Sequence, residues 1–286
     1  MSRVAYVNGR YVPHGRACVH IEDRGYQFSD GVYEVCEVRG GMLVDERRHL
    51  ERLARSLKEL RLESPMPLSS MRIVLRETVA RNRVRDGIVY LQVTRGVARR
   101  DHAFPPAGTK PAFVVTARSM DRAKQDVAAA GGVSVITVPD NRWERVDIKT
   151  VSLLPNVMAR QAAREQGARE AWFVDGDGRV TEGSSSNAWI VTKQGSIVTR
   201  PAERGILKGI TRTVVLDVAA KQGLRVEERP FSVEEAQAAA EAFLTAASQI
   251  VMPVIAVNGR RIGDGKPGPV ARELRARFHK IAEITL

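Results

Sequence analysis

Residues 31–60, GVYEVCEVRGGMLVDERRHLERLARSLKEL, carry two periodicities back to back. Over Gly31 to Arg39 the chain alternates, so Val32, Glu34, Cys36 and Val38 face one way while Tyr33, Val35, Glu37 and Arg39 face the other, as in a strand. The second face mixes a phenol with charges. Leu50, Leu53, Ala54, Leu57 and Leu60 then recur at helical spacing. A strand followed at once by an amphipathic helix predicts a mixed fold.

Outward from this stretch the same mixture continues. Upstream, YVNGRYV sets Asn8-Gly9 between apolar residues, the pattern of a tight hairpin whose turn needs positive φ. Downstream, a helix is predicted over 71–82 and strands over 88–95 and 112–117. Residues 118–132 are polar, then small, and end in Gly-Gly, which reads as a connection between domains. A second region follows, with a strand over 133–138, a helix over 155–166, strands over 171–174 and 188–192, and a helix over 211–222 that Gly223 is placed to stop. The expectation is an α+β protein in two domains, a smaller N-terminal α/β domain over 1–118 and a larger one over 133–286, with 119–132 between them. VNGR recurs at Val7 and Val257, which suggests two similar hairpins rather than a repeat.

A chain of 286 residues with 43% hydrophobic content can build such cores without staples. Its 45 Lys plus Arg against 33 Asp plus Glu leave a net charge of +12, which raises nucleic acid or an anionic ligand as a partner. The excess is spread along the chain with no basic block, and aromatics are only 5%, so a stacking surface for single strands is not expected. Cys18 and Cys36 cannot make a disulfide framework, and the five scattered histidines offer no spacing for a metal. The N-terminus lacks a signal-peptide core, and the greasiest stretch, 242–257, is interrupted by Ser248, Gln249 and Pro253. A cytoplasmic location without membrane attachment is the expectation.

Only nine of the 45 basic residues are lysines, and one of them, Lys149, lies in VDIKTVSLL among apolar neighbours. Its stem could simply cover apolar surface while the ammonium reaches water. Alternatively, desolvation favours the free amine and makes it a nucleophile toward an aldehyde. Further on, TEGSSSN places Glu182 ahead of a serine-rich turn, where a buried carboxylate would keep a heterocyclic nitrogen protonated, or where the turn is merely polar. LKGITR sets Gly209 at the start of a helix, a natural phosphate seat with Thr211 as an added donor; ordinary capping by Thr211 is the competing reading. Arg52 stands beside the apolar stripe of the first helix, a position that a solvated arginine would also occupy.

Together with DRGYQFSDGVYEV (23–35) and YLQVTRG (90–96), these segments in this order resemble the fold-type IV, or class IV, pyridoxal-phosphate aminotransferases, and most closely the bacterial D-amino acid group. The match runs from about Tyr6 to Arg261. The resemblance implies that Lys149 forms the Schiff base with pyridoxal 5'-phosphate and moves the proton, and that Glu182 pairs with the pyridine nitrogen. It also implies that Arg52, Ile210 and Thr211 hold the phosphate and that Leu207 packs on the ring. A carboxylate trap would comprise Tyr33 with Arg100 and His102, the latter two on a loop from the other subunit of a homodimer. Val35 and Glu37 would line the side-chain pocket. The family's second phosphate turn is rich in Ser and Thr but here reads Thr245-Ala246-Ala247-Ser248, leaving Ala247 its backbone N–H and Ser248 a hydroxyl. Glu37 stands where the type enzymes commonly have Lys. The implied reaction moves an amino group from a D-amino acid such as D-alanine to a 2-oxo acid such as 2-oxoglutarate. A branched-chain L-amino acid aminotransferase or an (R)-amine transaminase is the alternative within the same fold.

Overall fold

The computed structural model describes residues 3–203 and 205–285. The chain divides into two compact units, one made of Met1–Asp121, Ile148–Ser152 and Glu283–Leu286, the other of Arg122–Asp147 and Leu153–Ala282.

The first unit is a seven-stranded antiparallel sheet with helices on one face. Its elements are β1 (Val4–Val7), β2 (Arg10–Pro13), α1 (Arg24–Phe28), β3 (Gly31–Arg39), β4 (Met42–Val44), α2 (Glu46–Glu59), α3 (Leu68–Arg81), β5 (Gly87–Thr94) and β6 (Ala112–Ser119). The strands run in the order β4-β3-β5-β6-β1-β2, and Ile284–Thr285 pairs with the outer edge of β4. Asn8 and Gly9 take φ of 46° and 94° in the β1–β2 hairpin, the turn chemistry expected of Asn-Gly. β3 alternates as the sequence implies, with Val32, Glu34, Cys36 and Val38 buried. That face packs on α2, whose Leu50, Leu53 and Leu57 join Met71, Leu75 and Val79 of α3 in one core.

Strand β3 has one edge only partly used. β5 pairs along Gly31 to Val38, whereas β4 covers just Val38 and Arg39 on the other side. The segment Ile148–Ser152 fills the vacant end, with Tyr33 N–H donating to the Lys149 carbonyl at 3.0 Å and Val151 N–H to the Gly31 carbonyl at 3.1 Å. Ile148 joins the core beneath. Backbone pairing therefore assigns Lys149 to the first unit, a correction to the expected division, which gave it to 133–286.

The second unit contains α4 (Arg122–Gly131), β7 (Val133–Pro139), α5 (Leu154–Glu165), β8 (Glu170–Val174), β9 (Val180–Gly183), β10 (Asn187–Val191), β11 (Ile197–Thr199), α6 (Ile210–Lys221), β12 (Val226–Glu228), α7 (Val233–Ala238), β13 (Glu241–Ala246), β14 (Ile250–Val257) and α8 (Pro269–Ile281). The strands form a mixed sheet ordered β12-β11-β10-β13-β14-β7-β8-β9, with Arg260–Arg261 hairpinned onto β14. Pairs β7–β8 and β11–β12 are parallel, and α5 and α6 supply their respective crossovers. Ala159 and Ala163 of α5 pack on Ile136, Ala171 and Phe173, while Trp172, Phe231, Leu244 and Met252 belong to a larger cluster.

The stretch expected to connect two domains is instead mostly helical. α4 packs on β14 and buries Ala129 in the second core. Its small residues, which read as loop composition, allow that close approach.

Candidate active site

In the first unit the half-buried Lys149 places its Nζ 4.3 Å from the centroid of the Tyr33 ring. The strand pairing just described sets this distance, because it aligns the two residues across β3. Tyr33 in turn stacks on Tyr90, centroids 5.6 Å apart, and the Tyr90 hydroxyl donates to Gln92 Oε1 at 2.6 Å. Burial pushes the Tyr90 phenol up, and neighbouring Tyr33 adds to the shift, so Tyr90 stays a neutral donor. Register places Val35 opposite Tyr90 and Glu37 opposite Ile88, so Tyr33, Val35 and Glu37 do share one sheet face, with Tyr90 and Gln92 beside them.

On the opposite face of β3, Arg52 turns inward. Its Nε and Nη2 donate to Glu34 Oε1 and Oε2 at 2.7 and 2.8 Å, and His49 Nδ1 donates to the same carboxylate at 2.7 Å. Glu34 has no exposed surface. Burial alone would raise its pKa, but the charge and hydrogen bonds of Arg52, then those of His49, hold the carboxyl well below the usual range. The alternation placed Glu34 on this face; its partners, one helical turn apart on α2, were not recognised from the sequence.

The loop that carries Arg100 and His102 is built around aromatic rings. Both residues meet Phe28, the Arg100 guanidinium 5.0 Å and the His102 ring 5.3 Å from its centroid. Arg24 covers Phe28 as well, at 4.8 Å, and donates to the Asp101 carbonyl at 2.6 Å. At the loop's base Arg95 lies 3.9 Å from the Phe104 centroid and pairs with Asp30. The motif DRGYQFSDG is thus the scaffold of this loop, a role the sequence did not reveal.

In the second unit Glu182 is buried and surrounded by donors. Arg142 Nη1 reaches Oε1 at 2.6 Å, while Asn187 Nδ2 and the Leu207 backbone N–H reach Oε2 at 3.0 and 3.1 Å. Asn187 also donates to the Leu207 carbonyl, so Leu207 is clasped from both sides of its peptide. Asp140 grips Arg142 through Nε and Nη2 at 2.9 and 2.8 Å. Below the serine turn, the fully buried Glu170 accepts from the hydroxyls of Ser184 and Ser185, the latter at 2.9 Å. The Glu182 carboxylate, oriented by Arg142, Asn187 and the Leu207 N–H, is the kind of acceptor that a protonated pyridine nitrogen requires.

Helix α6 begins at Ile210 with Gly209 as its N-cap and no side chain capping it. Thr211 therefore does not serve as the cap. It lies within the first turn and is buried. A Cβ at Gly209 would come within 2.1 Å of Asn187 Oδ1, so only glycine lets the helix start against that amide. The first-turn N–H groups, which have no intrahelical acceptor, and the Thr211 hydroxyl form a donor set suited to a phosphate. Ala247 and Ser248 lie in the β13–β14 turn, where the Ser248 carbonyl accepts from Gln125 at 2.9 Å. Of the predicted residues, Lys149 and Tyr33 are in contact, Arg100 and His102 share Phe28, and Glu182 and Leu207 are hydrogen-bonded.

A model of the family "Amino-transferase class IV" matches residues 31–257. The chain is 39% identical over 278 residues to a D-alanine aminotransferase of Staphylococcus haemolyticus, covering 97% of each chain, and 42% identical over 268 residues to that of Bacillus licheniformis, covering 94% of this chain and 93% of the relative. A branched-chain amino acid aminotransferase of T.th., solved with pyridoxamine 5'-phosphate, superposes at a TM-score of 0.89 and 26% identity over 98% of this chain and 94% of the other. The motifs, the lysine beside its tyrosine and these likenesses agree: the chain belongs to the class IV aminotransferases.

Proposed function

We propose that this pyridoxal-phosphate aminotransferase takes the amino group of D-amino acids, D-alanine among them, and passes it to a 2-oxo acid such as 2-oxoglutarate in a ping-pong cycle. The observation that carries the reading is the strand pairing that holds the Lys149 amine over the Tyr33 ring. Preference for the D form is supported by the spacing of Arg100 and His102 and by the activity named for the two bacterial relatives.

When bound, pyridoxal phosphate supplies an aldehyde for the incoming amine and a ring that withdraws electrons from the substrate's Cα. Lys149, with its amine beside the Tyr33 ring, would be the base that takes the proton from the substrate's Cα and the acid that gives it back. Glu182 would hold the proton on the ring nitrogen, Leu207 would support the ring, and Arg52, Ile210, Thr211, Ala247 and Ser248 would bind the phosphate. Arg100, His102 and the Tyr33 hydroxyl fix the substrate carboxylate. Val35 and Glu37 border the side chain, so acidic D-amino acids should be handled less well than in a relative with Lys at that place. The unit of function is a homodimer in the cytoplasm, its partners small amino acids and oxo acids and not nucleic acid. Among the described residues, no helix is long and apolar enough to cross a membrane.

The test is the visible absorbance of the holoenzyme. D-alanine should bleach the band and L-alanine should not, and Lys149→Ala should lose transamination with its circular dichroism unchanged. Bleaching by L-leucine but not D-alanine would replace this reading with the branched-chain one.

A further inference from the structure

Glu34 interrupts an apolar row. Its neighbours on that face of β3 are Val32, Cys36 and Val38, all buried in the first core. A carboxylate there costs stability unless it is paired, and a hydrophobic residue of similar size would serve packing as well or better. The residue is nevertheless held by two donors from one helix, His49 and Arg52. Packing gives no account of this trio, whereas orientation does. With Nε and Nη2 gripped, the guanidinium plane is fixed and the edge carrying Nη1 is turned away from Glu34.

We propose that Glu34 is the positioning residue that aims Arg52 at the cofactor's phosphate. The inference rests on the proposed assignment of Arg52 to that phosphate. Arginine has a long stem whose ordering opposes binding, and a guanidinium already held in place has less freedom to lose. His49 completes the arrangement by satisfying the carboxylate from the preceding turn of α2, so that Glu34 is itself immobile. A purely electrostatic account makes the opposite prediction. If only charge mattered, removing the Glu34 carboxylate would strengthen the field that Arg52 offers an anion, and phosphate binding would tighten.

The experiment compares pyridoxal 5'-phosphate with pyridoxal as ligands of the full-length chain freed of cofactor, since the two differ only in the phosphate. The ratio of their affinities isolates that group from the Schiff base and the ring contacts. Glu34→Gln should lower the ratio by roughly tenfold or more while pyridoxal affinity stays within about threefold. Arg52→Ala should lower it at least as far. Arg52→Lys should fall close to the alanine variant, because an ammonium bound to Glu34 has no second rigid edge to present. The inference is overturned by a Glu34→Gln ratio that is unchanged or raised, or by equal losses for both ligands, which would mark a structural role only. Should Glu34→Gln not fold, an Arg52→Lys variant with the wild-type ratio is sufficient to overturn it. If Arg52→Ala alone leaves the ratio at the wild-type value, the assignment of Arg52 to the phosphate fails and the positioning role falls with it.

Discussion

Asp30 shows how much of the geometry around the Arg100 loop depends on one carboxylate. It accepts from Arg24 Nε at 2.9 Å and from Arg95 Nε and Nη2 at 2.7 and 3.0 Å, and both arginines are buried. Burial alone would raise the Asp30 carboxyl, but the hydrogen bonds and charges of Arg95 and then Arg24 outweigh it and hold the pKa below its ordinary value. A depressed native pKa means that the stabilisation is complete above the ordinary carboxylate pKa of about 4 and is lost as the pH falls from there through the native value. Asp30→Asn should therefore cost about 3–5 kcal/mol at pH 7, since it leaves two buried guanidinium groups without their carboxylate. The gap to wild type should narrow at about pH 3. Denaturant unfolding at the two pH values checks this, and a gap of equal size at both would show that the ion pairs are not its source. Lys149, Glu182 and Thr211 stood out in the sequence because each lies in a short motif whose neighbours give it meaning. Glu34 and Arg142 did not, because their meaning lies in partners 15 and 40 residues away.

Turns and helix ends show the same contrast one level up. Ile250, at the mouth of β14, has φ of 60°, a region that β-branched residues avoid at a cost of about 1–3 kcal/mol. The strain is held by α8, where Arg275 Nη1 donates to the carbonyls on either side, Gln249 at 2.7 Å and Val251 at 2.9 Å, while its Nη2 pairs with Asp126 of α4 at 2.8 Å. The turn so fixed contains Ala247 and Ser248, the proposed second phosphate contact. Arg275→Met should cost about 2–3 kcal/mol and raise amide exchange at 249–251. Unchanged protection of these amides would show that the turn keeps its shape without the arginine. Helices α5 and α6 and strands β3, β5, β6, β7, β8 and β10 were legible within a residue or two, because their apolar periodicity is local and strong, whereas α2 begins four residues before its leucine stripe and β4, β9 and β11–β14 were not read. α4 was not, since Ala128 and Ala129 carry little periodic signal, and it packs through them on β14. Nor could the sequence show that Lys149 pairs with β3, an association between residues far apart in the chain.

For the whole molecule, the proposed homodimer is the feature on which the proposed carboxylate trap would depend most and which a single chain displays least. Helix α5 buries Ala159 and Ala163 yet exposes Leu154, Val157 and Met158 by 71, 59 and 63%, an apolar stripe at helical spacing suited to a second copy of this chain. If that copy completes the carboxylate trap, Arg100 and His102 of one subunit must serve the Lys149 of the other, and the consequence can be tested without any structure. Lys149→Ala should be inactive because it lacks the amine, and Arg100→Ala should lose about 10- to 150-fold in kcat/KM for D-alanine because it lacks a charged hydrogen bond to the carboxylate. Neither variant recovers activity alone. Mixed in equal amounts and allowed to exchange subunits, half of the dimers are hybrids, and each hybrid has one site with an intact Lys149 facing an intact Arg100. Activity at low D-alanine should then rise to about one quarter of the wild-type value. If the loop serves the site of its own chain, every hybrid site lacks one of the two residues and the mixture does no better than its parts. That result would place the trap within one subunit and remove the catalytic reason for the dimer. A Val157→Glu change introduced into both variants should abolish the recovery by blocking association, so that restored activity can be traced to the hybrid itself.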